Sequence, residues 1–270
     1  MSEPKVLIIV EGKSLEPTLF RILFRKFNIK NRIYKVETNI YALFKKMEQY
    51  EFDADIKKVL LEMHPEHRSL LSHNFAYTYL IFDCDAHHSE YKDKRSITKI
   101  VEDNFKRLKR MIKYFNNETD PTVGKMYINY PMMESFRYCD DYFDESYKDC
   151  FVDINNFKCF KSDASKKKLA NKRLNKTYKK EYISLMLLNV LKMHYVVAQR
   201  WSKPSYQEYL NLSSGKRVFN AQDSLRKRDN KIAVLNMSLL LIIDYLGDFN
   251  GFYTKHLKNY CPVKHWTNNK

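Results

Sequence analysis

The sequence predicts an α/β fold, a mainly parallel sheet flanked by helices and followed by a largely helical second half. Three observations carry that expectation. Short apolar runs, KVLIIV at 5–10 and YTYLIF at 77–82, are too brief for helical periodicity and read as buried strands. Stretches with apolar residues three and four apart fall between them. Beyond Glu134 the strand–helix alternation stops and helical patterns take over.

Taken in order, the first strand spans 5–10 and Gly12 breaks it. Ser14 is placed to cap a helix whose apolar positions Leu15, Leu19, Ile22, Leu23 and Phe27 share a face, with Pro17 tolerated in its first turn. RIYKVE at 32–37 alternates like a second strand, and residues 40–62 read as helix with Leu43, Phe44, Met47, Leu60 and Leu61 inward. The third strand, 77–82, is followed by an amphipathic helix at 97–115 that carries Ile100, Val101, Phe105, Leu108, Met111 and Ile112 on one side. KMYIN at 125–129 is a fourth strand, which Pro131 ends. Right-handed crossovers then bring the carboxyl ends of these strands to one sheet edge. An acidic stretch (Asp140, Asp141, Asp144, Glu145, Asp149, Asp153), a basic one over 166–180, and helices at about 181–201 and 220–246 complete the pattern. The change in composition divides the chain into a domain over 1–136 and a basic, mainly helical domain over 137–270.

The 270 residues include 48 Lys+Arg against 32 Asp+Glu, a formal net charge of +16. Residues 1–135 hold 23 basic against 19 acidic side chains, whereas residues 136–270 hold 25 against 13. That imbalance favours a polyanionic partner, nucleic acid foremost, over the plainer reading of a solvated basic surface. The five cysteines (Cys84, Cys139, Cys150, Cys159, Cys261) form no C-x-x-C pair, which argues against a disulfide framework or zinc ribbon and fits a reducing cytoplasm. Residues 1–10 show no basic leader before a long apolar stretch, and the run at 239–243 is far shorter than the ~20 residues a bilayer needs. The expectation is a cytoplasmic protein with no membrane partner.

Gly12-Lys13-Ser14 follows a strand, but Leu7 stands where a phosphate loop needs its first glycine, and no G-x-G-x-x-G occurs. Carboxylates fit the chemistry better. Glu11, the Asp83–Asp85 pair and Glu134 follow strands one, three and four, so regular crossovers deliver them to one edge. Mg²⁺, or Mn²⁺ in its place, takes oxygen ligands and keeps several waters, so two or three carboxylates suffice. A competing zinc cluster could form from His64, His67 and His73, and His87-His88 lie beside the acidic pair, where they could position a phosphate or carry a proton. If the basic stretch is helical, Lys168, Lys172, Lys176 and Lys180 make one stripe at i, i+4 spacing suited to phosphates; a solvated loop is the alternative.

The strand ending in Glu-Gly (IIVEGKSLEP, 8–17) and the strand ending in Asp-x-Asp (LIFDCD, 80–85) resemble the TOPRIM fold of topoisomerases, primases and OLD-type nucleases. INYPMMESF at 128–136 is similar to the Asn-Pro-x-x-Glu segment of smaller TOPRIM-like defence proteins, the RloB, abortive-infection and PARIS-type groups, with Tyr130 standing between Asn and Pro. The resemblance covers about the first half of the chain, and because the stretch from Glu11 to Asp83 is long for a minimal TOPRIM core, it implies an inserted helical element at about 40–75. It implies Mg²⁺-dependent phosphodiester chemistry with Glu11 as metal ligand or proton carrier and Asp83 and Asp85 as ligands. Glu16, Glu134 and Lys13 carry over as further site residues, and Lys13, Lys168, Lys172, Arg173, Lys176 and Lys180 are the candidate nucleic-acid contacts. It also implies a toxic effector of anti-phage defence, restrained by an ATPase partner or an inhibitor. DNA against RNA and the homo-oligomeric state stay open, as do two other readings: a non-catalytic nucleic-acid-binding or scaffolding module, and a primer-synthesis enzyme.

Overall fold

The computed structural model describes residues 5–12, 14–29, 32–88, 95–120, 122–142 and 144–246. β1 (Lys5–Val10) is buried along residues 6–10, none of them more than 2% exposed, as a strand covered on both faces must be. After α1 (Leu15–Lys26) the chain returns as β2 (Arg32–Glu37), parallel to β1. A helical crossover of α2 (Ile40–Gln49), α3 (Ile56–Met63) and α4 (Arg68–Leu71) ends in β3 (Tyr77–Asp83), parallel to β1 on its other side. α5 (Ile97–Tyr114) leads through the short antiparallel β4 (Asn116–Asn117) to β5 (Gly124–Asn129), which pairs in parallel with β3. The order β2-β1-β3-β5-β4 makes a mostly parallel five-stranded sheet. Register sets its carboxyl edge: Val10 pairs with both Glu37 and Ile81, and Asp83 pairs with Asn129.

Past a 3-10 turn at Met133–Arg137, β6 (Phe151–Asp153) and a second such turn at Ile154–Cys159 lead to α6 (Phe160–Lys166). α7 (Lys179–Ala198) follows, then α8 (Tyr206–Leu212), α9 (Gly215–Asp229), β7 (Lys231–Ala233) and α10 (Met237–Leu246). α7 is buried without interruption from Glu181 to His194 and packs against α8, α9 and α10. Its Lys192 is fully buried and donates to the carbonyls of Lys148 (2.6 Å) and Cys150 (2.8 Å); burial pulls its ammonium down to about 7. One apolar core runs from Val6 to Leu246, so residues on both sides of position 136 share it. Among the described residues no helix is long and apolar enough to cross a membrane, and the run 239–243 lies inside the buried α10.

Four local expectations need correction. The helix expected over 40–62 is two helices, because Glu51 and Phe52 turn the chain at φ +52° and +60°. The helix expected over 220–246 is interrupted where Asn230 takes φ +55°; β7 then pairs antiparallel with β6, and the Gln222 side chain brackets both backbone groups of Ala233. Ser14 occupies the N-cap position of α1 but its side chain makes no capping bond. The basic stretch is not an α-helix. Between α6 and α7 it winds as 3-10 turns at Lys168–Asn171 and Leu174–Lys176, separated by extended residues, so the four-lysine stripe does not form. Its inward residues Ala164, Leu169 and Leu174 recur every five positions, a spacing no α-helical face repeats.

Candidate functional site

At the sheet's carboxyl edge β1 hands over to Glu11, β3 ends in Asp83, and β5 ends in Asn129. Glu16 enters from the first turn of α1 and Glu134 from the turn at Met133–Arg137. The Glu11 Oε1 accepts from Asn39 Nδ2 (2.8 Å), while its Oε2 is buried with no partner. Asn39 does this from the N-cap of α2, where its own oxygen accepts from Tyr41 N and Ala42 N, so helix start and carboxylate are fixed by one side chain.

Asp83 accepts from Asn129 Nδ2 (3.3 Å), and Asn129, fully buried, accepts in turn from Ser238 N (3.1 Å) and Ser238 Oγ (2.9 Å) at the start of α10. Asp85 sits at φ +27°, a backbone region that L residues rarely adopt. Hydrogen bonds hold it there: its N–H donates to Pro131 O (3.2 Å), and its carbonyl accepts from His88 N (2.9 Å) and Tyr41 OH (3.3 Å). Its Oδ1 is buried and faces His87 Nδ1 at 2.9 Å.

The carboxylates feel one another. Burial, then Asp85, with a contribution from Glu16, pushes Glu11 up to about 7 against hydrogen bonds from the Asp83 backbone and Asn39. Asp83 is raised well above the usual carboxylate range by burial first, then by Glu16, Glu11 and Glu134. Glu16, 5% exposed, is raised by burial and by Glu134, against the backbone N–H groups of Glu16 itself and Gly12 and the cation of Lys161. Lys161, on α6, reaches Glu134 Oε1 at 3.3 Å.

Gly12 admits Glu16 to this edge. A Cβ at position 12 would lie 2.0 Å from Glu16 Oε2, so only glycine leaves room for the carboxylate. Gly12→Ala is expected to expel Glu16 and weaken divalent-cation binding by about tenfold or more, with unfolding free energy changed by less than ~1 kcal/mol. Isothermal titration with Mn²⁺ beside urea denaturation checks this; unchanged affinity would sink it.

Among the described residues no three His, Cys, Asp or Glu side chains are gathered closely enough, as they stand, to hold a metal ion. The residues nevertheless fit a hard divalent cation: a buried oxygen of Glu11 lacks any hydrogen-bond partner, and neighbouring carboxylates hold up the pKa values of Glu11 and Asp83, the repulsion a cation relieves. The zinc alternative does not assemble. His64 and His67 have ring centres 6.0 Å apart, and His73 is engaged by Lys5 and Tyr34.

Lys13 lies outside the described residues. Lys168, Arg173, Lys176 and Lys180 are exposed, whereas Lys172 is half-buried and bound to Glu181 at 2.6 and 2.8 Å. The acidic stretch neutralises part of the basic one, since Asp140 accepts from Lys168 N and from Lys167 Nζ. Asn39, Lys161 and Ser238 were not singled out as site residues by pattern, and Asn129 entered only as part of its motif. Asn39 carried a detectable signal, a capping residue just ahead of an apolar helix. No protein-family model, curated protein or solved structure matches this chain.

Proposed function

We propose that this protein is a divalent-metal-dependent phosphodiesterase that cleaves nucleic acid, with a TOPRIM-like sheet as its catalytic scaffold. The observation that carries the reading is the convergence of Glu11, Asp83, Asp85, Glu16 and Glu134, distant in sequence, into one edge where Asp85 and Glu16 raise the pKa of Glu11, and Glu16, Glu11 and Glu134 raise that of Asp83. A Mg²⁺ or Mn²⁺ ion bound there would supply a Lewis acid for the scissile phosphate and an activated water. Glu11, Asp83 and Asp85 would hold it: Asn39 orients the first, Asn129 the second, and a tethered backbone the third. Glu16 and Glu134 extend the acidic wall, and Lys161 stands beside them as a cation within reach of a phosphate. The net charge of +16, concentrated in residues 136–270, suits a polyanionic substrate. By its resemblance to defence nucleases, the protein fits a toxic anti-phage effector working with an ATPase partner or inhibitor, an analogy rather than a property of the site.

The test is incubation with plasmid DNA and with a tRNA pool, each with EDTA, Mg²⁺ or Mn²⁺, using wild type, Glu11→Gln and Asp83→Asn. Metal-dependent cleavage by wild type alone is the expected result; equal cleavage by all three would refute the assignment. A second reading, a binding module without chemistry, draws on the absence of a ready-made metal cluster among the described residues. It predicts salt-sensitive binding that both substitutions leave intact and no cleavage with any metal.

A further inference from the structure

We propose that His87 is a nitrogen ligand of the cation at this edge, and that it makes the site select Mn²⁺ over Mg²⁺. The inference rests on the metal-site reading above. His87 Nδ1 lies 2.9 Å from Asp85 Oδ1; both atoms are buried, and neither has a further hydrogen-bond partner. Two lone pairs facing at that distance repel unless a proton or a metal ion lies between them. Glu11 Oε2 is a further buried atom, this one without any hydrogen-bond partner, on a carboxylate that Asp85 perturbs directly.

The imidazole is held in place. Asn104, 3% exposed on α5, donates from Nδ2 to the carbonyls of Ala86 and His88, both at 2.9 Å, which fixes the backbone on either side of His87. Phe157 meets the ring edge-on, with centres 6.1 Å apart. With its proton on Nε2, His87 presents the Nδ1 lone pair toward Asp85. His88 is placed differently: its Nδ1 is 3.8 Å from Asp85 Oδ2, its side chain is 38% exposed, and its ring stacks on Tyr41. That arrangement suits a residue outside the coordination sphere.

Mg²⁺ prefers an all-oxygen shell, whereas Mn²⁺ accepts imidazole nitrogen readily, so one histidine among carboxylates shifts preference toward Mn²⁺. The experiment is pulsed electron paramagnetic resonance of the full chain loaded with one equivalent of Mn²⁺, beside calorimetric titration with Mn²⁺ and Mg²⁺. Wild type should show imidazole ¹⁴N modulation and bind Mn²⁺ at least about tenfold more tightly than Mg²⁺. His87→Gln should lose the modulation and most of that preference, and His88→Gln should keep both. Bound Mn²⁺ without nitrogen modulation in wild type, or modulation that survives in His87→Gln, overturns the role of His87 and leaves the carboxylate site standing. Absence of Mn²⁺ binding to wild type overturns the metal-site reading and this inference together. The wild-type spectrum needs no variant, so a folding defect in His87→Gln does not shelter the proposal.

Discussion

Glu11→Gln is expected to make the metal-free protein more stable at pH 8 while removing the metal-dependent cleavage proposed above. The sign follows from the raised pKa. Below about 4.5 the carboxyl is protonated in folded and unfolded chains alike and costs nothing. Between about 4.5 and about 7 the unfolded chain gives up its proton while the folded one retains it, so folding stability falls as pH rises. Above that window the full penalty, of order 3 kcal/mol, persists. A glutamine accepts the Asn39 hydrogen bond and carries no charge. The variant should therefore gain most of that amount at pH 8 and almost nothing at pH 4. Urea denaturation at both pH values in EDTA measures it, and an equal gain at the two would show that charge is not the cause. Added Mn²⁺ should stabilise wild type at pH 8 and leave the variant unmoved, since a ligand that binds only the native state adds its binding free energy.

Asn129→Leu should cost about 2–4 kcal/mol of unfolding free energy and lower divalent-cation affinity about tenfold. The amide serves four partners at once: it donates to Asp83 and Met133 Sδ and accepts from the Ser238 backbone and hydroxyl, all at a fully buried position. Leucine fills similar volume but strands those groups without water to replace the lost bonds. Ser238→Ala, which removes only the hydroxyl's bond to Asn129, should cost about 1 kcal/mol and little affinity. Wild-type stability and Mn²⁺ binding in Asn129→Leu would show that Asn129 does not position Asp83.

The sheet was legible because its central parallel strands are short apolar runs bounded by turn residues, and burial on both faces leaves few other ways to use such a run. Glu11, Asp83, Asp85 and Glu134 were legible for a related reason: a carboxylate placed directly after a buried strand has the strand's end as its address. Lys161 lacks any such address. It reaches Glu134 from α6, across a stretch whose five-residue spacing of apolar side chains defeats helical periodicity. Asn129 was visible within its motif, but its role depends on Ser238, 109 positions later, a pairing that no local pattern encodes. The lysine stripe failed because an i, i+4 spacing defines a face only when a helix is present to display it.

Ser238 has one consequence for how the protein comes into being. Translation runs from the amino end, so Glu11 and Asp83 leave the ribosome long before the serine that steadies Asn129. A chain caught halfway through synthesis has its acids but not their fastening, and the clasp arrives among the last residues of the described fold.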